Sequence, residues 1–468
     1  MEHKNAWRTY TKEQTEELEA LSVRYRAFLD AGKTERECVK AAVRLARASG
    51  YVSLEEAVAS GKTLAAGDKV YAVFMEKDIA LFHIGEKPFA QGMRILGAHI
   101  DSPRLDLKPN PLYEDAELAY LDTHYYGGVK KYQWVTIPLA IHGVVAKKDG
   151  SVLEVCIGEK EDDPVVFVSD LLIHLAGEQL EKKARVVIEG ENLDLLVGSC
   201  PVADGNEEGK EKGKEKDAVK ANILAILKEQ YGIEEEDFLS AELEIVPVGK
   251  ARDCGLDRSM IMAYGQDDRV CAYTSMEALL AAGTQEYTCC CLLVDKEEIG
   301  SVGATGMQSR FFENTVAELM NCAGEYSELE LRRCLSRSRM LSSDVSAAYD
   351  PLYASYFEKR NSAYFGKGMV LCKYTGSRGK SGSNDANAEY VAAVRAALEK
   401  HHVAYQTAEL GKVDVGGGGT IAYISALYGM QVIDSGVAVM NMHAPMEVTS
   451  KADVYEAEKG YEAFLKEA

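Results

Sequence analysis

Apolar residues recur at helical spacing near the start of the chain, and polar residues mark where two helices begin. Thr11 with Gln14, and Thr34 with Glu37, fit the capping-box pattern of a helix N-terminus. Gly50 is placed to end the second helix. The face of this second helix that carries small and apolar side chains comprises Cys38, Ala41, Ala42, Leu45 and Ala46. Spacing of this kind predicts a helix packed against a core.

Strand-like and helical patterns then alternate in two separate parts of the chain. The runs "KVYAVFM" and "IALFHIG" predict short strands before "RILGAHIDSP". After residue 255, "YTCCCLLV" predicts a buried strand, whereas "RVCAYTSMEALLAAG" and "ANAEYVAAVRAALEKHH" predict helices. This alternation favours the α/β class: an α/β/α domain with a mixed, largely parallel sheet.

The middle of the chain has a different pattern, with short β-rich segments separated by turn residues. Examples are "QWVTIPLAIHGVVAKKDGSVLEVCIG" and "AELEIVPVG". We therefore predict a discontinuous α/β domain over residues 1–110 and 255–468, interrupted by an inserted β-rich domain over residues 111–254. Within the insert, residues 205–217 are almost wholly charged and glycine-rich, which is typical of a solvated loop.

Composition narrows the classes of partner and compartment. The 468 residues include 53 basic and 74 acidic side chains, for a formal charge of −21, which disfavours binding to nucleic acid or to an anionic membrane surface. The eleven cysteines contain no C-x-x-C pair and indicate buried thiols in a reducing compartment. No signal core precedes the first helix, and no run approaches about 18 apolar residues. We expect a cytoplasmic protein.

Candidate chemical groups follow strand-like runs throughout the α/β region, where the carboxyl ends of strands gather functional side chains. Taken singly, each has an ordinary structural explanation, such as a helix N-cap for paired acids or a satisfied buried histidine. Their combination in one region is the informative feature. The groups are His99, Asp101, Asp267, Asp268, Glu297, Glu298, Asp344 and His443.

This set matches the demands of a hydrolase with two metal ions. Two divalent ions about 3.5–4 Å apart need a shared carboxylate, further oxygen or nitrogen ligands and a bound water. Another carboxylate must take the proton of that water. The adjacent pair Glu297 and Glu298 can divide these tasks, one as base and one as ligand. Asp101, two residues beyond His99, is placed to orient the imidazole.

Six motifs in order resemble those of the aspartyl aminopeptidase family of dinuclear zinc exopeptidases, on a divergent bacterial-type branch. They are "GAHIDSP", "GQDDRV", "DKEEIGS", "SSDVS", "GGGGTIA" and "MNMHAPMEVTS", and they span most of the chain. The resemblance implies a catalytic α/β domain with an inserted β-rich domain for dimerisation and covering the site. It also implies an assembly of dimers into a homo-dodecamer, peptide substrates and two divalent metal ions. Zinc is expected, and cobalt or manganese suits the same ligands.

The resemblance also implies a role for each matching residue. Asp267 would bridge the two metals, with a cis peptide bond to Asp268. Glu297 would be the general base and Asp101 the residue behind His99. The metal ligands implied are His99, Asp267, Glu298, Asp344 and His443. The substrate-binding residues implied are Lys373, Gly418, Gly419 and His174, the last reaching a neighbouring subunit's active site.

Departures from the family pattern leave the substrate preference open. Near Thr136 the chain reads "QWVTIPL" where the family has a charged stretch, and Ala347 and Asp350 stand in place of histidines. We expect a metalloaminopeptidase, with acidic N-terminal residues as the first candidates. The alternatives are an aminopeptidase of neutral or broad preference, a related dinuclear amidohydrolase or carboxypeptidase, and a non-enzymatic assembling scaffold.

Overall fold

The computed structural model describes residues 4–202 and 217–467, which form two compact units. The first unit comprises the chain up to Ser102, Lys250–Met442 and the chain from Met446 onward. The second comprises Pro103–Gly249 and the short segment His443–Pro445. The charged loop predicted at residues 205–217 lies outside the described residues, apart from its last position.

The strands of the described residues are numbered in chain order. They are β1 Val52–Ser53, β2 Lys69–Phe74, β3 Asp78–His83, β4 Met93–His99, β5 Arg104–Asp115, β6 Leu118–Tyr126, β7 Leu139–Ala146, β8 Val152–Ile157, β9 Phe167–Val168, β10 Leu195–Gly198, β11 Ala241–Pro247, β12 Arg252–Cys254, β13 Met260–Ala263, β14 Thr288–Val294, β15 Arg339–Ser343, β16 Ser346–Ala347, β17 Met369–Cys372, β18 Tyr405–Thr407, β19 Gln431–Gly436, β20 Ala438–Met440 and β21 Glu447–Ser450.

The α-helices are numbered in the same way. They are α1 Lys12–Ala31, α2 Glu35–Ala48, α3 Leu54–Ala59, α4 Gly177–Leu180, α5 Ala218–Tyr231, α6 Gln266–Ala281, α7 Phe311–Cys322, α8 Glu328–Arg337, α9 Ala388–Lys400, α10 Ile421–Ala426 and α11 Lys451–Glu467.

A nine-stranded mixed sheet organises the first unit, in the order β1-β2-β3-β14-β4-β15-β19-β17-β18. Its four central strands, β14, β4, β15 and β19, are mutually parallel. Antiparallel pairs join β3 to β14 on one side and β17 to β19 on the other. The predicted α/β class with a mixed, largely parallel sheet is confirmed.

Helices cover both faces of this sheet, because its strands alternate side chains between two cores. Cys289, Cys291 and Leu293 of β14 join the core that includes α1, α2, α6, α9 and α11. Cys290 and Leu292 join the opposite core, which includes α3, α7, α8 and α10. The period-two alternation of a strand explains why three consecutive cysteines are all buried and yet face different neighbours.

The N-terminal helices begin where the sequence predicts. Thr11 and Gln14 form a complete capping box at α1, and Thr34 and Glu37 form one at α2. Each box satisfies two backbone N–H groups that the first helical turn leaves without partners. Gly50, just beyond α2, has the left-handed φ of 86° that the end of a helix favours.

A smaller sheet in the first unit carries two of the predicted site segments. Its order is β12-β13-β21-β20-β16, antiparallel except for the β16–β20 pair. Asp267 follows β13, and His443 lies between β20 and β21. The segments that carry His99, Glu298 and Asp344 instead follow β4, β14 and β15 of the large sheet.

The second unit is built on a seven-stranded sheet in the order β8-β7-β11-β5-β6-β10-β9. Every neighbouring pair is antiparallel. Trp134 is fully buried in this unit, and the segment from Ser169 to Asp194 consists of short helical turns and loops. Among the described residues, every helix of either unit is too short or too polar to cross a lipid bilayer.

We predict that the first unit depends on a glycine at position 368. Gly368 has a φ of 88°, and a Cβ there would lie 1.9 Å from the carbonyl oxygen of Ala404. Gly368→Ala therefore adds a backbone clash to the strain of a left-handed alanine, and we expect a loss of roughly 3 kcal/mol or more. Gly50→Ala is the matched control, because its φ is 86° and nothing lies within 4 Å of the added carbon.

Thermal unfolding of the two variants checks this. The free energy of unfolding of Gly50→Ala should fall only by the cost of a left-handed alanine, about 1–2 kcal/mol. Equal unfolding midpoints for the two variants would contradict the clash.

Candidate metal centre

Three neighbouring strands of the large sheet deliver predicted site residues to one edge. β4 ends at His99, β14 ends four residues before Glu298, and β15 ends immediately before Asp344. The strands are adjacent in the order β14-β4-β15 and run parallel. Because the carboxyl ends of parallel strands share an edge, residues distant in sequence meet there.

His99, Asp267 and Asp344 form a compact group of candidate ligands. Each offers one ligand atom, and these atoms all lie within 4.8 Å of one another. Nε2 of His99 is 3.4 Å from Oδ1 of Asp267. Asp267 is 3% exposed and reaches the group from the start of α6, where the peptide bond to Asp268 is cis, as the resemblance implies.

Asp101 connects this group to the loop that carries the paired glutamates. Its side chain is fully buried, and Oδ1 lies 3.3 Å from Nδ1 of His99, which also faces the Asp101 carbonyl oxygen at 3.1 Å. The two carboxylate oxygens accept the backbone N–H groups of Glu297 and Glu298, each at 3.1 Å. A proton held on Nδ1 leaves the Nε2 lone pair of His99 directed toward Asp267.

Other residues hold Asp267, and the sequence did not reveal them. Oε2 of the buried Glu447 accepts the backbone N–H of Asp267 at 2.9 Å. Ser102 donates its hydroxyl to the Asp267 carbonyl at 2.8 Å, and Gln266 donates to the carbonyl of Glu447 at 2.7 Å. Ser102 and Glu447 lie inside the quoted motifs, but neither spacing nor residue type distinguishes their contacts from ordinary packing.

Electrostatics in this group favour an added positive charge. Burial alone would lower the pKa of His99, but hydrogen bonds to Asp101 and Asp267 outweigh it and raise the pKa well above its usual value. Burial, followed by the charges of Glu297 and Asp268, raises the pKa of Asp344. Burial likewise raises the pKa of Asp268. Several carboxylates packed in little water are poorly compensated by protein charges alone.

The donor set fits a divalent metal ion. One imidazole whose Nε2 faces the group and two carboxylates are ligands that zinc accepts, and an oriented histidine is the usual arrangement behind such a site. Asp267 and Glu298 also bring carboxylate oxygens within 4.8 Å of each other, so Asp267 can serve two ions. Glu297 remains close, with Oε2 3.9 Å from Nε2 of His99.

His443 belongs to the short segment that groups with the second unit. Its Nδ1 lies 2.9 Å from the carbonyl oxygen of Gly128 in the same unit, and its φ is 64°. Donation from Nδ1 to this carbonyl leaves Nε2 as the ligating nitrogen. The tautomer is thus suited to metal binding, and its role as a ligand stays a prediction.

The predicted substrate residues of the first unit lie on two loops that touch. Gly418 donates its N–H to the carbonyl of Thr375 at 3.1 Å, and a Cβ at Gly417 would lie 2.7 Å from Cα of Ser377. Gly419 directly precedes the N-cap of α10. Glycine is required at Gly417, where the two backbones approach this closely, whereas a Cβ at Gly418 would meet only a leucine side chain at 3.9 Å.

Lys373 lies beside a carboxylate that it shares with a second lysine. Its Nζ lies 3.5 Å from Asp385, which also pairs with Lys380 at 2.8 Å. An acidic substrate side chain would compete with Asp385 for this cation. The role of Lys373 in substrate binding stays a prediction.

His174 belongs to the second unit. It occupies a single helical turn, Ile173–Leu175, and is exposed to solvent. Its flanking residues Ile173 and Leu175 are 68% and 66% exposed. Its predicted role in the active site of a neighbouring subunit stays a prediction.

Comparison with known proteins identifies the family. A family model for aminopeptidase I zinc metalloproteases (M18) matches residues 28–465. A probable M18 family aminopeptidase 1 of Clostridium acetobutylicum is 63% identical over 464 residues, covering 99% of this chain and 98% of that protein. The crystal structure of an M18 family aminopeptidase from Thermotoga maritima superimposes with a TM-score of 0.93 at 46% identity, covering 100% of both chains.

The fold and the donor set define a metallo-exopeptidase, a hydrolase of peptide bonds. The chain belongs to the M18 family of zinc metalloproteases, the aspartyl aminopeptidase type that its motifs resemble. It is an aminopeptidase of that family, which removes the non-enzymatic scaffold from the alternatives.

We predict that Asp101→Asn weakens zinc binding about 10- to 100-fold, because the amide cannot accept both loop N–H groups and orient His99 at once. Competition with a chromophoric chelator measures the affinity. Asp257→Asn is the control, since Asp257 is exposed and only caps a turn at Ser259. An Asp101→Asn protein that binds zinc as tightly as the control would contradict the orienting role.

Proposed function

We propose that the protein hydrolyses the first peptide bond of peptides with two divalent ions and Glu297 as general base. The observation that carries the proposal is the group of His99, Asp267 and Asp344 with Glu297 beside it. Ions bound there would acidify a water molecule and stabilise the oxyanion of the attacked carbonyl. Zinc is the metal of the family, and cobalt or manganese suits the same ligands.

The residues divide the work by position. His99 and Asp344 would be ligands of one ion, and Glu298 and His443 would be ligands of the other. Asp267 would be a ligand of both. Glu297, near the group and outside the ligand set, would take the proton of the water and return it to the leaving amine. Asp101 would hold both His99 and the backbone of the base in register, because it contacts both.

Two substrate classes remain as alternatives: peptides with an acidic N-terminal residue, and peptides with a neutral or any N-terminal residue. Lys373 favours acidic N-terminal residues if it reaches the substrate side chain, as the resemblance implies. Its pairing with Asp385 favours neutral or broad specificity, because an acidic substrate would have to compete with that carboxylate for Lys373. A panel of aminoacyl anilides with acidic, neutral and basic residues separates the two classes, and N-acetylated analogues distinguish aminopeptidase from amidohydrolase activity.

We predict that Glu297→Gln abolishes hydrolysis of every active substrate in that panel. The amide cannot accept a proton, so kcat should fall by roughly 10²- to 10⁴-fold, whereas zinc content stays unchanged. Glu16→Gln, at an exposed position on α1, should behave as the unsubstituted protein. Turnover of the Glu297→Gln protein at the rate of this control would exclude Glu297 as the base.

The second unit has an apolar surface suited to assembly. Five exposed apolar side chains, 45–68% exposed, cluster within ten residues around His174: Leu171, Leu172, Ile173, Leu175 and Leu180. Large exposed apolar patches mark protein interfaces. A structure with this fold from S. cerevisiae is a dodecamer at 20% identity and a TM-score of 0.74, which is a likeness of fold. We propose that this surface forms the dimer, that dimers build a dodecamer, and that His174 enters the neighbouring active site.

We predict that Ile173→Asp dissociates the assembly and lowers hydrolysis together with it. A charge buried in an apolar interface is costly, and separated subunits could not share His174. Sedimentation velocity and activity are measured on the same samples. Val152→Asp is the control, because Val152 is 59% exposed in the same unit but lies on β8, outside the cluster. A monomeric unsubstituted protein, or an unchanged assembly of Ile173→Asp, would contradict the proposal.

A cytoplasmic location is also proposed. All eleven cysteines lie in the described residues and are free thiols, which agrees with a reducing compartment.

A further inference from the structure

The loop that carries Glu297 is closed on itself by Asp295. Asp295 pairs with Gly306 in an isolated parallel bridge, and the hydroxyl of Thr305 donates to Oδ2 of Asp295 at 2.6 Å. Asp295 is fully buried and Thr305 is 4% exposed. The side chain of Asp295 thus joins the two ends of the loop in a place that excludes water.

A second buried carboxylate holds Asp295 from the neighbouring strand. Asp78 begins β3, which pairs antiparallel with β14, and its Oδ1 accepts the backbone N–H of Asp295 at 2.9 Å. Asp78 is also fully buried. The starting point of the loop is therefore anchored to the sheet by a side chain as well as by the strand.

The loop needs such anchoring because its backbone is locally unfavourable. Lys296 and Ser301 have φ values of 67° and 58°, in the left-handed region that non-glycine residues rarely adopt. Nζ of Lys296 lies 3.1 Å from Oδ2 of Asp295, which balances part of the buried charge. Conformations of this kind persist where surrounding contacts hold them.

We propose that Asp78, Asp295 and Thr305 are positioning residues that fix the general-base loop against the sheet. Asp101 restrains the same loop from the metal side through the N–H groups of Glu297 and Glu298. The Asp78–Asp295–Thr305 chain restrains it from the side of β3. The catalytic consequence rests on the proposed role of Glu297, whereas the restraint itself rests on the contacts alone.

The side chain of Asp78 determines which substitutions at this position are informative. Burial raises the pKa of Asp78 to about 8. Asparagine has the same shape as a neutral aspartic acid and keeps an oxygen that can accept the N–H of Asp295. Leucine has a similar size but no acceptor.

The first test compares Thr305→Val with Thr288→Val. Both replace a buried threonine by its isostere, but Thr288 lies at the opposite end of β14, where its oxygen accepts the N–H of Gly85. Thr305→Val should lower kcat roughly tenfold to a hundredfold, the effect of a small misplacement of a catalytic group. KM and zinc content should stay unchanged, and hydrogen–deuterium exchange at the amides of Glu297 and Glu298 should accelerate. Thr288→Val should change none of these.

The second test compares Asp78→Leu with Asp78→Asn. Asp78→Leu should reproduce the effects of Thr305→Val, and Asp78→Asn should restore kcat and amide protection to near those of the unsubstituted protein. If Asp78→Leu fails to fold, the threonine pair still tests whether the contact between Thr305 and Asp295 restrains the loop, and a slow, poorly protected Asp78→Asn protein would contradict the role given to the acceptor of Asp78.

The outcomes separate this inference from the proposed function. If Thr305→Val had the amide exchange rates and the kcat of the unsubstituted protein, the positioning role would be wrong. It would also be wrong if Thr305→Val and Thr288→Val lost the same fraction of kcat. If the Glu297→Gln protein kept its activity, the role of Glu297 would fail. Amide exchange in the same variants would still report whether these residues restrain the loop.

Discussion

The candidate site depends on one buried carboxylate, that of Asp101. It meets the ring of His99 on one side and the backbone N–H groups of Glu297 and Glu298 on the other. Because β4 and β14 are parallel neighbours, a residue just beyond one strand can satisfy the first turn beyond the other. A single side chain therefore contacts both the ring of His99, the proposed ligand, and the backbone of Glu297, the proposed base. Breaking this contact would disturb two elements of the site at once.

The acidic residues of the site are buried, and this distinguishes their electrostatics from the net negative charge of the whole chain. The net charge of −21 is a sum over the whole chain, and water and salt screen the part of it that lies at the surface. The carboxylates of Asp267, Asp268 and Asp344 are packed where water is scarce, and burial raises the pKa of the latter two. Backbone N–H groups relieve part of the cost of burying the carboxylates of Asp101 and Asp78, whereas the carboxylates of Asp267 and Asp344 converge with His99. This local concentration of buried acidic groups is the feature that suits the proposed metal ions.

Much of the fold could be predicted because its determinants are local. The capping boxes at Thr11 and Thr34 are formed by residues three positions apart, and the alternating burial of Cys289 to Cys291 follows from strand geometry. The ordered motifs identified the family and the class of enzyme because they combine residue type, order and spacing. They did not reveal Glu447 or Asp78, whose contacts with Asp267 and Asp295 cross 180 and 217 positions of sequence.

The sequence by itself determined where helices and strands begin, which residue types are available for metal chemistry and which family the chain joins. Only the tertiary structure decided which of those residues meet. His99, Asp267 and Asp344 come from two different sheets, and their convergence depends on strand order and crossovers that no local pattern encodes. Tertiary packing also decides which residues support them. In the sequence, a carboxylate that is buried and accepts a distant N–H cannot be distinguished from one that is solvated.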